Sequence, residues 1–371
     1  MWIFSLLIMS LIIVVGVILG LTPKFSRQST PFGISVANKH KVIEEFKQQY
    51  FKANTGMGIL LALPMIIFSF IKPYEKAERF AAMYSFIAIV VQITISFGLY
   101  LYFRKQLFNW LETNPVLNND DSKTIATDIK YHDQVEFKSH ISFIISQIVI
   151  IVIPVIIAFV FYDSIPEDIP INWNANFEVG ETVAKSIWSV LALPGIQLLL
   201  VPIMNLSNYA IVKSKQHISP LDPEKASEKS RFFRKKWSNM LYWVTIATQL
   251  LMSGVFLYSL FGNNKHFWIL VILLVIFLFF TIGGPLYLSI KYGQAGEKLL
   301  AADAQYYSDP EEDESWKFGI FYYNKNDPSI FVEKRFGIGS TLNYGTWQAW
   351  GITISIIIIS ILLIVWAYLL K

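Results

Sequence analysis

Long apolar blocks alternate with polar ones along this chain. Eight apolar runs, roughly Trp2–Leu21, Met57–Ile71, Ala81–Phe103, Ile141–Phe161, Ile187–Leu206, Trp237–Phe261, Phe267–Ile290 and Trp347–Leu370, are separated by seven polar loops. A bilayer core ~30 Å thick is crossed by ~20 residues of helix, so most runs predict a membrane-spanning helix. The run at Met57–Ile71 is short and needs its flanks to reach the interface. Aromatic pairs such as Tyr102 and Phe103, Phe267 and Trp268, and Trp347 and Trp350 sit near run ends, as interfacial belts do. The predicted fold is an all-α polytopic membrane protein of about eight transmembrane helices.

Composition agrees. The chain is 54% hydrophobic and 16% charged, against ~25% charged in soluble domains. With no Cys, disulfides, thiolate nucleophiles and Cys-ligated zinc are excluded. The distribution of charge is more informative than its sum. Loops 1, 3, 5 and 7 hold 25 of the 31 Lys and Arg residues. The positive-inside rule then predicts odd-numbered loops in the cytoplasm and both termini outside a plasma membrane. The first run lacks a basic n-region and a small-residue cleavage site, so it is expected to remain as a helix.

The loops divide the chain into expected segments: 1–136, a three-span region with an amphipathic cytoplasmic loop; 137–236, with an external loop at 162–186; 237–290, a two-span hairpin; 291–346, a cytoplasmic segment; and 347–371, the last span. In loop 1, Val42, Ile43, Phe46 and Tyr50 share one helical face, after a plausible N-cap at Asn38. This predicts a short amphipathic helix, lying on the inner leaflet or packed on its neighbours. Loop 5 ends in Arg231, Arg234, Lys235 and Lys236 beside the sixth run. Such a juxtamembrane cluster attracts anionic lipid, and reads as a topology anchor or as a contact for lipid or a cytoplasmic partner. In loop 7, WKFGIFYY and SIFVEKRF flank the turn NKNDP. They predict a small β-hairpin docked under the last span, with Lys334 and Arg335 available to lipid phosphates or a partner. The acidic stretch Asp309–Glu314 is expected to be cut readily by proteases.

Catalytic constellations are missing. None of His40, His132, His140, His217 and His266 has zinc spacing, and there is no Walker or GxSxG motif. No Asp, Glu, Lys or Arg lies well inside an apolar run, which lowers the odds of a proton-driven pump. No enzymatic activity and no cofactor are expected. Uncharged polar residues in the runs, among them Gln92, Gln147, Gln197 and Gln249, are read as interhelical hydrogen-bonding groups. Pro194 and Pro202 make the fifth run look the most broken.

Loop 4 reads DSIPEDIPINWNANFEVGETVAKS. This segment resembles the hallmark of the Sdp-type toxin-immunity membrane proteins and their bacterial relatives. Ile169, Pro170, Trp173, Asn174, Glu178 and Lys185 match it, whereas Asn172, Phe177 and Gly180 depart from it. RQSTPFGISV in loop 1 and FYYNKNDPSIFVEKRFGIGSTLNYG in loop 7 are similar to two further segments of that family. The resemblance implies a non-enzymatic bacterial protein that binds or senses an extracellular ligand. It implies immunity to a secreted peptide toxin or envelope-stress signalling, with a regulatory protein as the inner partner and no role for nucleic acid. The expected ligand contacts are Pro170, Asn172, Trp173, Asn174, Glu178 and Lys185, although Trp173 also reads as a packing residue. The alternative is a small-molecule or lipid transporter using a polar, Pro-broken path.

Overall fold

A computed structural model describes residues 2–36, 40–71, 74–114, 137–173, 179–215, 223–262, 266–299 and 313–369. Its helices are α1 (Trp2–Phe25), α2 (Lys41–Ala62), α3 (Pro64–Phe68), α4 (Tyr74–Thr113), α5 (His140–Val160), α6 (Ile187–Lys213), α7 (Pro223–Phe261), α8 (Phe267–Leu278), α9 (Gly284–Tyr292) and α10 (Trp347–Leu369). A π-helical turn, Phe279–Gly283, joins α8 to α9. Seven helical stretches are long and apolar enough to cross a membrane, and α10 adds another apolar helix of 23 residues. The protein is an all-α, multi-pass membrane protein.

The helices form two units. α1, α2, α3 and α4 pack on one another, and α7 gathers α5, α6, α8 and α9 around itself. The first unit closes through small residues. A Cβ on Gly16 would lie 3.0 Å from Gly58 Cα, and one on Gly20 3.0 Å from the Phe51 carbonyl. Such close backbone approach is how membrane helices associate when burial from water no longer drives them. The second unit closes through amides. Gln197 Nε2 donates to Gln249 Oε1 (3.1 Å) and Ser253 Oγ (3.0 Å), and Gln249 Nε2 donates to Gln147 Oε1 (3.1 Å). These glutamines therefore link α5, α6 and α7. Thr94, Ser146, Asn205 and Thr248 instead bond to the carbonyl four residues back in their own helix.

Several expectations change. The amphipathic stretch of loop 1 is the start of the second span, because α2 runs unbroken from Lys41 to Ala62 and a candidate span extends to Phe68. Its apolar face, with Ile43 and Tyr50, is buried against Phe32, Tyr100 and Phe103 rather than laid on a leaflet. The fifth span is one helix through Pro194 and Pro202, not a broken one. α7 crosses the expected boundary between 236 and 237 without interruption.

The predicted loop 7 hairpin is two hairpins. β3 (Trp316–Lys317) pairs with β4 (Phe321–Tyr322), and β5 (Phe331–Glu333) pairs with β6 (Ser340–Leu342). The first predicted run folds back within itself at Phe318 and Gly319, with φ of 53° and 73°, and the second turns just past its end at Gly337 and Gly339, with φ of 85° and 97°; glycine tolerates this conformation, and Phe318 adopts it beside one. Asn38 and residues 309–312 of the acidic stretch lie outside the described residues.

Candidate functional site

Loop 4 forms a cap over one end of the second unit. After α5, a 3-10 turn (Tyr162–Ser164) leads to Pro166, which favours extended backbone in the residue before it. β1 (Asp168–Pro170) then pairs antiparallel with β2 (Thr182–Ala184), and a bridge between Trp173 and Val179 extends the pairing. Ile165 and Ile169 are buried with Val190 of α6 and Phe256 and Leu260 of α7. Ser186 and Ser189 form a capping box that starts α6 where the cap ends.

Two further contacts seat the cap on α7. Ser259 Oγ donates to the Pro170 carbonyl, and the Trp173 ring packs on Tyr258 at 5.5 Å between centroids. Beneath lies a cavity of about 330 Å³. Pro170 and Trp173 line it, together with Val183 of the cap, Ala192 of α6, and Phe256 and Ser259 of α7. This size suits a small apolar group with few polar anchors.

The other expected ligand residues divide. Asn172 Oδ1 accepts the Glu181 N–H (2.6 Å), so this side chain braces the turn. Lys185 Nζ donates to the Ile165 carbonyl (3.0 Å), lies 3.6 Å from Glu167 and sits over the Tyr162 ring. It therefore closes the base of the hairpin. Asn174 and Glu178 lie outside the described residues. Tyr258 and Ser259 had no signal in the sequence: a Tyr and a Ser near the end of an apolar run read as interfacial, and only the fold brings the cap onto them.

The opposite end is a dome in which loop 1, the start of α7 and residues 313–346 interlock. Its centre is Glu333. Arg27 Nη2, just past α1, donates to Glu333 Oε2 (2.9 Å), and Arg234 Nη2 of α7 donates to Glu333 Oε1 (2.8 Å). One carboxylate thus joins both helical units. Arg234 also donates to the carbonyls of Val212 and Ser214 at the end of α6, satisfying groups that a helix C-terminus leaves open.

Around this centre two Phe-Gly turns face each other. Phe32 and Gly33 have φ of 48° and 73°, nearly the values at Phe318 and Gly319. The Tyr100 hydroxyl lies within hydrogen-bonding reach of the Phe32 carbonyl (3.1 Å) and the Phe318 carbonyl (2.8 Å), and Arg104 also donates to Phe32. Phe336 fills the space between Phe32, Tyr50 and Tyr100.

The basic residues expected at lipid or a partner have different fates. Arg234 and Arg335 are each 1% exposed. Arg335 pairs with Asp313 and lies over the Trp316 ring. Both guanidinium groups are therefore turned into the dome, not toward lipid phosphates, because buried carboxylates and carbonyls there meet their donors. Lys334 is half-buried, and burial lowers its pKa below the usual lysine value. Arg231 is half-buried, Lys235 is exposed, and Lys236 is exposed with its ammonium over the Phe232 ring. Asp327 is hydrogen-bonded by Ser329, Lys215 and Tyr322. Burial opposes its ionised form, but these bonds outweigh it and hold its carboxyl below the usual range.

Two family models match parts of the chain. Residues 149–198 are similar to a domain of unknown function (DUF1648), and residues 325–350 to a family of unknown function (DUF5808). The first match covers the second half of α5, the cap and the start of α6; the second covers Asp327, Glu333, Arg335 and the start of α10. Neither description names a function. No curated protein and no solved structure matches the chain.

Proposed function

We propose that this is a bacterial plasma-membrane protein that binds an extracellular ligand under the loop 4 cap and thereby confers immunity to a membrane-active peptide or reports envelope stress. The cap faces outward and the dome faces the cytoplasm. The carrying observation is the cap itself: a strand pair seated on α7 by Ser259 and Trp173 over an apolar cavity. α7 runs from that cavity to Arg234, about 38 Å away at 1.5 Å per residue. A ligand that shifts Trp173 or Phe256 therefore acts on the helix that is tied to Glu333. An inner regulatory protein would read the dome.

The rival reading, a transporter, rests on a polar and broken path. Gln147, Gln197 and Gln249 spend their amides on one another, and α6 is continuous. Those observations favour binding. The test is survival of a sensitive bacterium challenged with a panel of membrane-active peptides. Cells carrying the chain should survive at least one peptide that kills cells without it, and Trp173→Ala should remove that protection. No protection against any peptide, together with uptake or export of a labelled substrate by the chain, would replace binding by transport. Orientation is tested separately with an impermeant thiol reagent on intact cells, for which the Cys-free chain is well suited. Asp168→Cys should label and Asn326→Cys should not.

A further inference from the structure

A second cavity, of about 530 Å³, lies on another face of α7 at the same end of the bundle. Ile157 of α5 and Phe161 just past it, Leu257 and Tyr258 of α7, and Ile269 and Leu270 of α8 form most of its wall. Gly254 leaves room on α7, and Leu273 of α8 closes against it: a Cβ there would lie 2.3 Å from Leu273 Cδ1.

Its chemistry selects the occupant. Ser164, Tyr258 and His266 are the polar-bearing residues of the lining, too few to satisfy the many waters a volume of this size would hold, since each needs two to four polar partners. An empty apolar void destabilises a protein in proportion to its volume. Hydrocarbon is the filling that incurs neither cost. The source is adjacent: Ile157 and Ile269, at the wall, are 36% and 56% exposed on membrane-spanning helices, so the cavity is continuous with the lipid-facing surface. Its depth fits as well. From Gly254 to Phe261 the wall runs about 10 Å along α7, within the ~15 Å that one leaflet contributes to a bilayer core. His266 marks the interfacial end, where α8 begins.

We propose that this cavity is a lipid site that takes one acyl chain of a bilayer phospholipid laterally, between α5 and α8. The chain rests against Tyr258, and the Trp173 ring packs on that residue. The bound lipid therefore buttresses the cap from behind. This site needs no ligand in the loop 4 cavity and stands whether or not the chain confers immunity.

The test uses the full chain in vesicles of phosphatidylglycerol and phosphatidylethanolamine doped with a phospholipid carrying a diazirine in its acyl chain. Photolysis and peptide mapping should place adducts on Leu257, Tyr258 and Leu270 well above those on Ile354 and Ile358, exposed residues of α10. Leu257→Trp fills the cavity and should cut wall labelling about tenfold, since losing contact with two buried methylenes weakens retention by that order. Leu270→Trp serves the same purpose if Leu257→Trp does not fold, folding being judged by elution and melting. Equal labelling of the wall and α10 would reduce the site to ordinary surrounding lipid and overturn the proposal. So would wall labelling that a folded, filled variant leaves unchanged. Labelling by a free diazirine fatty acid but not by the phospholipid would overturn the phospholipid as the source.

Discussion

The cap and the dome are both built from antiparallel strand pairs of two or three residues, and such pairs are not stable alone. They are held in opposite ways. At the cap, buried Ile165 and Ile169, one serine hydroxyl and one aromatic contact seat the strand pair on α7, without an ion pair to it among the described residues, and a cavity remains below. At the dome, Arg27, Arg234, Arg335, Glu333 and Asp313 bind the strands to both helical units, with Phe32, Tyr50, Tyr100 and Phe336 packed between them. A lid held mainly by apolar packing over a cavity is suited to admitting a ligand. A buried charge network fixes geometry, because removing one partner strands the others away from water. On the proposed reading, ligand response and structural integrity are separated along α7.

The most severe way to break this comparison is at Glu333. Glu333→Ala leaves the Arg27 and Arg234 guanidinium groups without their shared carboxylate, and breaking a buried pair costs about 3–5 kcal/mol. The variant should lose most of its folded yield, read by size-exclusion chromatography in detergent. A melting temperature near that of the parent chain would mean that the dome is as loosely held as the cap.

Two glycines give the next contrast. At Gly33, φ is +73° and a Cβ would lie 2.6 Å from the Gly319 carbonyl and 2.7 Å from the Tyr100 hydroxyl. Gly33→Ala should cost ~2 kcal/mol or more, the left-handed conformation alone accounting for ~1–2. At Gly180 the nearest atom is the end of the Asn172 side chain, which can rotate away at the cost of its hydrogen bond from the Glu181 N–H. Gly180→Ala should cost less than ~1 kcal/mol. Thermal melts of the two variants side by side check the ordering, and a reversed order would deny the dome its rigidity.

Trp173→Ala should cost about 1–3 kcal/mol of stability, one aromatic pair plus the burial of a half-exposed ring, while abolishing protection in the survival assay. A large loss of stability would make Trp173 a packing residue and the cap a structural element.

The smallest effects are electrostatic. Asp327 has its pKa lowered on folding, so its contribution is present above the ordinary carboxylate range and is lost as pH falls through the folded value, below about 4. Asp327→Asn should reduce the acid sensitivity of melting in that window. Lys334 has its pKa lowered by burial, so folding disfavours its charge at neutral pH. Lys334→Met should leave stability unchanged or raise it by up to ~1 kcal/mol. A clear loss would mean that Lys334 holds a partner inside the dome.

The order of residues alone determined the membrane class, the number of long apolar helices and the asymmetry of basic loops. These follow from local composition: a run of ~20 apolar residues without charge has one stable environment. Loop 4 and the aromatic loop 7 were also legible as ordered segments, since proline and asparagine punctuate the first and large aromatics crowd the second. Only the tertiary structure decided where charge goes. Arg234 and Lys235 are neighbours in one basic cluster, yet the first is sealed against Glu333 and the second is exposed. Helix phase, set by what packs on α7, separates them. The same holds for Arg335, whose partner Asp313 lies 22 residues earlier. The two cavities were likewise invisible. A void is a property of how three helices fail to meet, and no run of residues encodes it until α7 is placed between α5, α6 and α8.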